Sequence, residues 1–305
     1  MKTPRMLCLI AVLFLAAAAR ADETPETLLI RQALDNDKLG QRRGNAELVL
    51  SAFGDEVVVY AGNGTADPRG WTVLHEERPA YAAAVTADLQ ARRYDIERSV
   101  PLLQVRGLVA LVATVDSGKV VDRVSGAAQP YRAKRLWSFT KQEDENKWLA
   151  TAVFAEVGDS LSAVPAAGGV DAGIAQVLQR EAQGWREHDA DAIAEVYGQG
   201  LVGYDGTRQF KPETWLIIFG NPEELKKWAE KRLKYTTYQV DRQVIYTTVG
   251  SEAREALALT REQIGTTYAK GPVRHDLARY VLWTLSQRSG SWKVTSMLYD
   301  LGLPQ

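Results

Sequence analysis

Hydrophobic and polar residues alternate along the chain with two different periods. Between Ile174 and Trp185 the apolar residues recur every three or four positions, which predicts an amphipathic helix with one buried face. From residue 236 onward the period is two, as in strands that bury one face. Strands are predicted near 238–245, 254–262, 276–287 and 291–299. Their close spacing in sequence favours antiparallel pairing.

End signals predict two further helices in the same region. Asp189 is a suitable N-cap for a short helix in "DADAIAEVYG", and we expect Gly198 to end that helix in a left-handed conformation. Asn221 followed by Pro222 predicts the start of a third helix, with Glu224 completing a capping box. Short strands are predicted in "LVGYDG" and "WLIIF", between the second helix and the third.

The same pattern occurs earlier in the chain, where "RRYDIERSV" at 92–100 corresponds to "TTYQVDRQV" at 236–244, an offset of 144. Glycines and aromatic residues, which are scarce residue types, match at this offset from about residue 40 to 101. Examples are Gly40 with Gly184, Tyr60 with Tyr204, Trp71 with Trp215 and Trp148 with Trp292, whereas Trp137 matches Trp283 at 146. The repeat predicts two copies of one domain, joined by a linker at 158–170.

The order of two helices, two short strands, a third helix and four antiparallel strands resembles the nuclear transport factor 2-like superfamily, which includes SnoaL-like domains. The stretches that carry the resemblance are "GWREHDADAIAEVYGQGLVGYDG", "YQVDRQV" and "RYVLWTLSQRSGSWKVTSMLYD". The resemblance implies an α+β fold with two tandem cone-shaped domains, 22–157 and 171–303, of which the first is the more divergent. In each, three helices would pack on a curved, mostly antiparallel sheet around a cavity. Superfamily members include isomerases, dehydratases, hydrolases and proteins that only bind or assemble, so the fold does not determine the function.

The first 21 residues have the features of a secretory signal peptide. Basic residues precede an apolar run of 14 residues, from Met6 to Ala19, and Ala19-Arg20-Ala21 forms a cleavage signal. The run is shorter than the about 20 residues that span a bilayer. The alternative is an uncleaved anchor. We expect cleavage after Ala21 and a periplasmic or secreted bacterial protein that is not attached to the membrane.

Composition narrows the choice of partners. Three of the 37 basic residues lie in the leader, and the remaining 34 against 38 acidic residues give a net charge of −4. The chain has no basic stripe, so nucleic acid is not an expected partner. The three histidines, His75, His188 and His275, are not at metal-ligand spacing, and neither a metal nor a cofactor is expected.

Arginines and aromatic residues on the apolar strand faces are the candidates for ligand binding. Alternation places Tyr238 with Arg242 on one face of a strand, and Arg279 with Trp283 on one face of another. An arginine on such a face could bind an anionic ligand, or it could pair with a carboxylate and be structural. The ligand-binding candidates are Trp215, Tyr238, Arg242, Arg279 and Trp283, and the first copy repeats part of this set with Tyr94, Arg98, Arg135 and Trp137.

Asp205, His275 and Arg279 are the candidate catalytic residues, for acid–base chemistry in the cavity of the second copy. They do not form a recognisable catalytic motif, which favours non-catalytic binding of a small, partly apolar ligand or a protein segment. Two alternatives stay open. One is an enzyme of the isomerase, dehydratase or hydrolase type, and the other is a structural protein whose two copies pack together as an internal pseudo-dimer.

Overall fold

The computed structural model describes residues 24–161, 169–209, 211–269 and 273–303. We call residues 24–161 the first half and residues 169–303 the second half. The expected signal peptide and residues 162–168 of the expected linker lie outside the described residues. None of the described helices is long and apolar enough to cross a membrane.

Each half contains three α-helices and six strands in the same order. The first half consists of α1 (Pro25–Arg43), α2 (Ala46–Leu50), β1 (Phe53–Ala61), β2 (Thr72–His75), α3 (Arg78–Ala91), β3 (Arg92–Arg106), β4 (Val109–Asp122), β5 (Ala128–Gln142) and β6 (Lys147–Ala155). The second half consists of α4 (Ala172–Glu187), α5 (Ala190–Glu195), β7 (Tyr197–Asp205), β8 (Leu216–Phe219), α6 (Pro222–Leu233), β9 (Thr236–Val249), β10 (Glu255–Tyr268), β11 (Arg274–Ser286) and β12 (Lys293–Leu301). A 3-10 turn precedes β2 and β8, at Pro68–Gly70 and Pro212–Thr214.

The two sheets have the same topology. Their strand orders are β2-β1-β6-β5-β4-β3 and β8-β7-β12-β11-β10-β9. The first strand of each half pairs parallel with the last, and every other pairing is antiparallel. This topology confirms the α+β fold with two tandem copies that the repeat predicts.

Side-chain caps fix several helix starts, as the sequence predicts. Asn45 accepts a hydrogen bond from the Leu48 amide at 3.0 Å, and Asp189 accepts one from the Ala192 amide at 2.9 Å. The expected end of the short second-half helix at Gly198 is wrong, because this glycine already lies in β7. The expected capping box at Glu224 also differs, since its carboxylate accepts from the Gly220 amide, one residue before the cap.

Each half has its own apolar core between its helices and one face of its sheet. The opposite faces of the two sheets share a third apolar cluster, with residues from both halves. Two polar contacts border this shared cluster in a reciprocal way. The Tyr246 hydroxyl donates to the Trp71 carbonyl at 2.9 Å, and the Gln104 amide donates to the Trp215 carbonyl at 2.8 Å. Because Trp71 and Trp215 are equivalent in the repeat, the contact has the form of a two-fold interface.

Candidate functional site

The arginine on the inner face of β3 is held by a buried network in the first half. Arg98 lies 2.7 Å from an oxygen of Asp37 on α1 and 2.6 Å from an oxygen of Asp116 on β4. It also donates to the Leu34 carbonyl at 2.8 Å. With every donor nitrogen engaged, Arg98 serves the structure of the half and has no nitrogen left for a ligand.

Its counterpart Arg242, on β9, is held in the same way. It lies 2.6 Å from Glu181 on α4 and 2.6 Å from Glu262 on β10, and it donates to the Leu178 carbonyl. Burial opposes ionisation of Glu262, yet Arg242 and Arg279 hold the pKa of this carboxyl below its ordinary value. Arg242 is therefore the centre of a charge-balanced cluster that links helix to sheet.

A second arginine approaches the same acids in each half, and here the halves differ. Arg279 on β11 places two nitrogens 2.8 Å from one oxygen of Glu262, and its guanidinium lies 4.2 Å from the Tyr299 ring. Arg135 on β5 has only long contacts, at 3.4 Å to Asp37, 3.4 Å to the Tyr131 hydroxyl and 3.7 Å to Asp116. Hydrogen bonds of this length are weak. Arg135 therefore keeps donor capacity that Arg279 has used.

Arg135 faces a cavity of about 250 Å³ between α3 and the inner face of the first sheet. Tyr81 and Val85 on α3 form one wall, and Tyr131 and Trp137 on β5 form another. The other lining residues are Gln41, Val49, Val59, Leu74, Ala84, Asp88, Leu89, Arg92, Tyr94, Val153, Ala155 and Glu156. Aromatic walls with few polar groups are typical of a small-molecule site.

The phenols of Tyr81 and Tyr94 in this cavity are neutral hydrogen-bonding groups. Burial and the nearby Asp37 charge raise the pKa of Tyr81 above its ordinary value. Burial and the bond to Asp88 also raise the pKa of Tyr94, whose hydroxyl donates to an Asp88 oxygen at 2.7 Å. A ligand would therefore meet uncharged phenols at neutral pH.

At four of the positions that line this cavity, the second half has a larger side chain. Gln41 corresponds to Trp185, Ala84 to Trp228, Val153 to Met297 and Ala155 to Tyr299. The Trp185 and Trp228 rings pack edge to face, with centroids 5.5 Å apart. The two rings stand at positions equivalent to Gln41 and Ala84, which line the cavity of the first half.

The ligand-binding candidates of the second half do not all come together. Arg242 and Trp283 are in contact, with the guanidinium 4.7 Å from the ring, and Glu262 links Arg242 to Arg279. Tyr238 packs on Trp185 at 5.0 Å, beside this cluster. Trp215 lies elsewhere, in the apolar cluster that the two sheets share.

The candidate catalytic residues are also separate from one another. Asp205 ends β7 and accepts a hydrogen bond from the Thr207 amide at 2.7 Å. His275 is exposed near the start of β11, with its ring 5.6 Å from that of Tyr268. In the described part of the chain, no hydrogen bond or ion pair joins Asp205 or His275 to Arg279. A shared reaction centre for these three residues stays a prediction without a contact to support it.

Comparison with known proteins reveals similarity in fold. No family model matches the chain, and no curated protein matches it. A ketosteroid isomerase-like protein from Erwinia carotovora atroseptica is similar over 45% of this chain and 99% of its own, at 15% identity and a TM-score of 0.37. An NTF2-like protein of unknown function from Shewanella baltica covers 44% and 96%, at 14% identity and a TM-score of 0.32.

Each half has a nuclear transport factor 2-like fold. The strand order and helix placement described above are those expected for it. A protein of unknown function with a cystatin-like fold from Nostoc punctiforme covers 46% of this chain and 98% of its own, at 16% identity and a TM-score of 0.34. Each of these structures is matched over almost its whole length and covers less than half of this chain.

Proposed function

We propose that the first NTF2-like half binds a small, neutral, partly aromatic ligand in its cavity, without catalysing a reaction on it. The observation that carries the proposal is the loosely held guanidinium of Arg135 inside a cavity that four aromatic side chains help to line. In the second half, the arginine that approaches the equivalent acids is Arg279, which places two nitrogens 2.8 Å from Glu262. The two halves thus share a topology and differ in how tightly this second arginine is held.

The size and charge of the cavity define the ligand class. A volume of about 250 Å³ is below the usual range for drug-sized ligands, which favours a molecule with a single ring. Arg92 and Arg135 line the cavity together with Asp88 and Glu156, so the lining has no excess charge. We therefore expect an uncharged ligand with a hydrogen-bond acceptor, such as a ketone or amide, directed at Arg135.

Titration with a matched pair of probes tests this proposal. Acetophenone has the ring and the acceptor, whereas ethylbenzene has nearly the same shape without the acceptor. We expect acetophenone to bind about tenfold more tightly, because its carbonyl accepts a charge-assisted hydrogen bond from Arg135. Arg135→Gln should remove most of this difference and leave the affinity for ethylbenzene nearly unchanged. Ligand-detected NMR measures both affinities.

A cavity-filling variant provides the control for location. Ala84→Trp introduces the residue of the second half and should abolish binding of both probes, because the indole occupies the cavity. Ala87→Trp places the same residue on the exposed side of α3 and should leave binding intact. Equal binding by the two variants, or equal affinity for the two probes, would refute the proposal.

We also propose that the protein is exported and that the leader is removed after Ala21. The support is the basic and apolar pattern of the leader. The only cysteine, Cys8, lies in this leader, so the mature chain would have no disulfide. Expression in a Gram-negative host followed by N-terminal sequencing of the periplasmic fraction tests this. A chain that begins at Asp22 is the expected result, and a full-length chain in the cytoplasm contradicts it.

A further inference from the structure

A second cavity, of about 230 Å³, lies where the first half meets the outer face of the second sheet. Its polar lining residues are Arg69 of the first half and Gln243, Arg261 and Tyr280 of the second. Its apolar lining residues are Ile245, Leu259 and Leu303. None of the seven is acidic, and the cavity shares no residue with the one that contains Arg135.

The sheet places three of the polar residues in one row. Arg261 on β10 pairs with Gln243 on β9 and with Tyr280 on β11, so the three side chains project side by side from the same face. This row can direct a guanidinium, an amide and a phenol at one ligand group. Leu259 lies two residues away on the same face and continues the row as an apolar surface.

The charge in this cavity is not balanced. Arg69 is neutralised by the buried Asp67, whose oxygen lies 2.5 Å from a guanidinium nitrogen. Arg261 has no ion pair with any residue that the structure describes, and its Nε is buried without a hydrogen-bond partner. The guanidinium charge of Arg261 thus lacks a counter-ion among the described residues, and an anionic ligand in the cavity would neutralise it.

The repeat offers an internal comparison, because the equivalent place in the first half is balanced. Lys134 is equivalent to Tyr280, Glu213 to Arg69, and Val115 to Arg261. The Lys134 ammonium lies 2.7 Å from Glu213 and 2.6 Å from Asp159. At this two-fold interface, the lysine on one side is therefore paired with carboxylates, whereas the arginine at the equivalent place on the other side has no ion pair and lines a cavity.

We propose that the cavity at Arg261 binds a small carboxylate with a short apolar body. The carboxylate accepts hydrogen bonds from Arg261, and the amide of Gln243 and hydroxyl of Tyr280 lie beside it as further donors. The apolar body contacts Ile245, Leu259 and Leu303. Because residues of both halves line the cavity, the bound anion also stabilises the packing of one half on the other.

Isovalerate is the probe for this site, and isovaleramide is its neutral control of similar shape. We expect the full chain, at low ionic strength, to bind isovalerate at least about tenfold more tightly than isovaleramide, as measured by calorimetric titration. Arg261→Gln should weaken isovalerate binding at least about tenfold, and Tyr280→Phe should weaken it a few-fold. Arg180→Gln, an exposed arginine on α4, should leave it unchanged.

Two results overturn the proposal: no isovalerate binding at millimolar concentration, or binding that Arg261→Gln and Tyr280→Phe both leave unchanged. Equal affinity for isovalerate and isovaleramide also overturns it, because a neutral probe gains nothing from the unpaired charge. The Ala84→Trp variant separates this site from the cavity of the first half. With that cavity filled, isovalerate should still bind with the affinity of the unaltered chain.

Discussion

At the scale of single residues, the buried charges of this protein fall into two groups. Most are paired within a half, as Arg98 is with Asp37 and Asp116. Pairs of this kind specify which helix face meets the sheet, and removing one partner leaves an uncompensated charge. Glu255 is also paired within its half, with Arg288, but it forms the second group because its carboxyl is buried near the contact between the halves.

The Glu255 carboxyl predicts a pH dependence of stability. Burial raises its pKa to about 7, although Arg288, 2.7 Å away, opposes the shift. A carboxyl with a raised folded-state pKa stabilises the fold below its ordinary pKa of 4.5, and this contribution disappears as pH rises through 7. Relative to Glu255→Gln, the wild type should therefore lose up to about 3 kcal/mol of unfolding free energy between pH 4.5 and 7.

Urea unfolding at several pH values measures this difference. Glu143→Gln, on the exposed turn after β5, is the control and should differ from wild type by a constant amount, within about 0.5 kcal/mol. A wild-type curve that runs parallel to that of Glu255→Gln across the whole range would exclude the raised pKa.

At the scale of elements, packing explains why a glycine recurs at the same place in the first helix of each half, at Gly40 and Gly184. A Cβ on Gly184 would lie 2.8 Å from the Ile193 side chain and 2.9 Å from its amide nitrogen. The equivalent Gly40 would bring a Cβ to 2.6 Å from the Val49 nitrogen. The short second helix thus packs directly on the backbone of the first.

This packing predicts that alanine at Gly184 lowers the stability of the protein, whereas alanine in place of glycine ordinarily raises the stability of a helix. In an unobstructed helix, Gly→Ala stabilises by about 0.5–1 kcal/mol. Gly184→Ala should instead destabilise the protein by about 2 kcal/mol, because the added methyl displaces α5. Gly200→Ala, where no atom lies within 4 Å of the new Cβ, should change the unfolding free energy by less than about 0.5 kcal/mol. Thermal unfolding measures the stability of both variants relative to wild type. A Gly184→Ala variant more stable than wild type would contradict the prediction.

The elements were predictable from sequence because they depend on period and on end signals. The predicted strands match the observed ones, although β10 continues six residues past its predicted end at 262. The cavity was not predictable in the same way, because it depends on how completely the side chains fill the space between α3 and the sheet. Charged and aromatic residues on the strand faces predict a ligand site at Arg242 and Trp283, in the second half. A comparison of side-chain sizes at equivalent positions, such as Ala84 with Trp228, predicts the cavity in the first half.

At the scale of the whole molecule, the two halves are joined by an apolar two-fold contact and by polar contacts that break the symmetry, among them that of Glu76. The Glu76 carboxylate of the first half accepts hydrogen bonds from the amides of Glu252, Arg254 and Glu255, at 2.6, 2.7 and 2.8 Å. The equivalent residue of the second half is Gly220, which cannot make such a contact. Glu76 thus holds the turn between β9 and β10 against the first half.

This contact predicts that the halves unfold as one unit and that Glu76 supports their coupling. Glu76→Ala leaves three amides without their acceptor and should lower the unfolding free energy by about 3 kcal/mol. Glu77→Ala removes a half-exposed ion pair to Arg254 next to it and should lower it by less than about 1 kcal/mol. Urea denaturation followed by tryptophan fluorescence measures both. If each variant loses the same amount, or if the wild type unfolds in two separate steps, Glu76 does not couple the halves, because a carboxylate that joins two domains must raise the stability of both together.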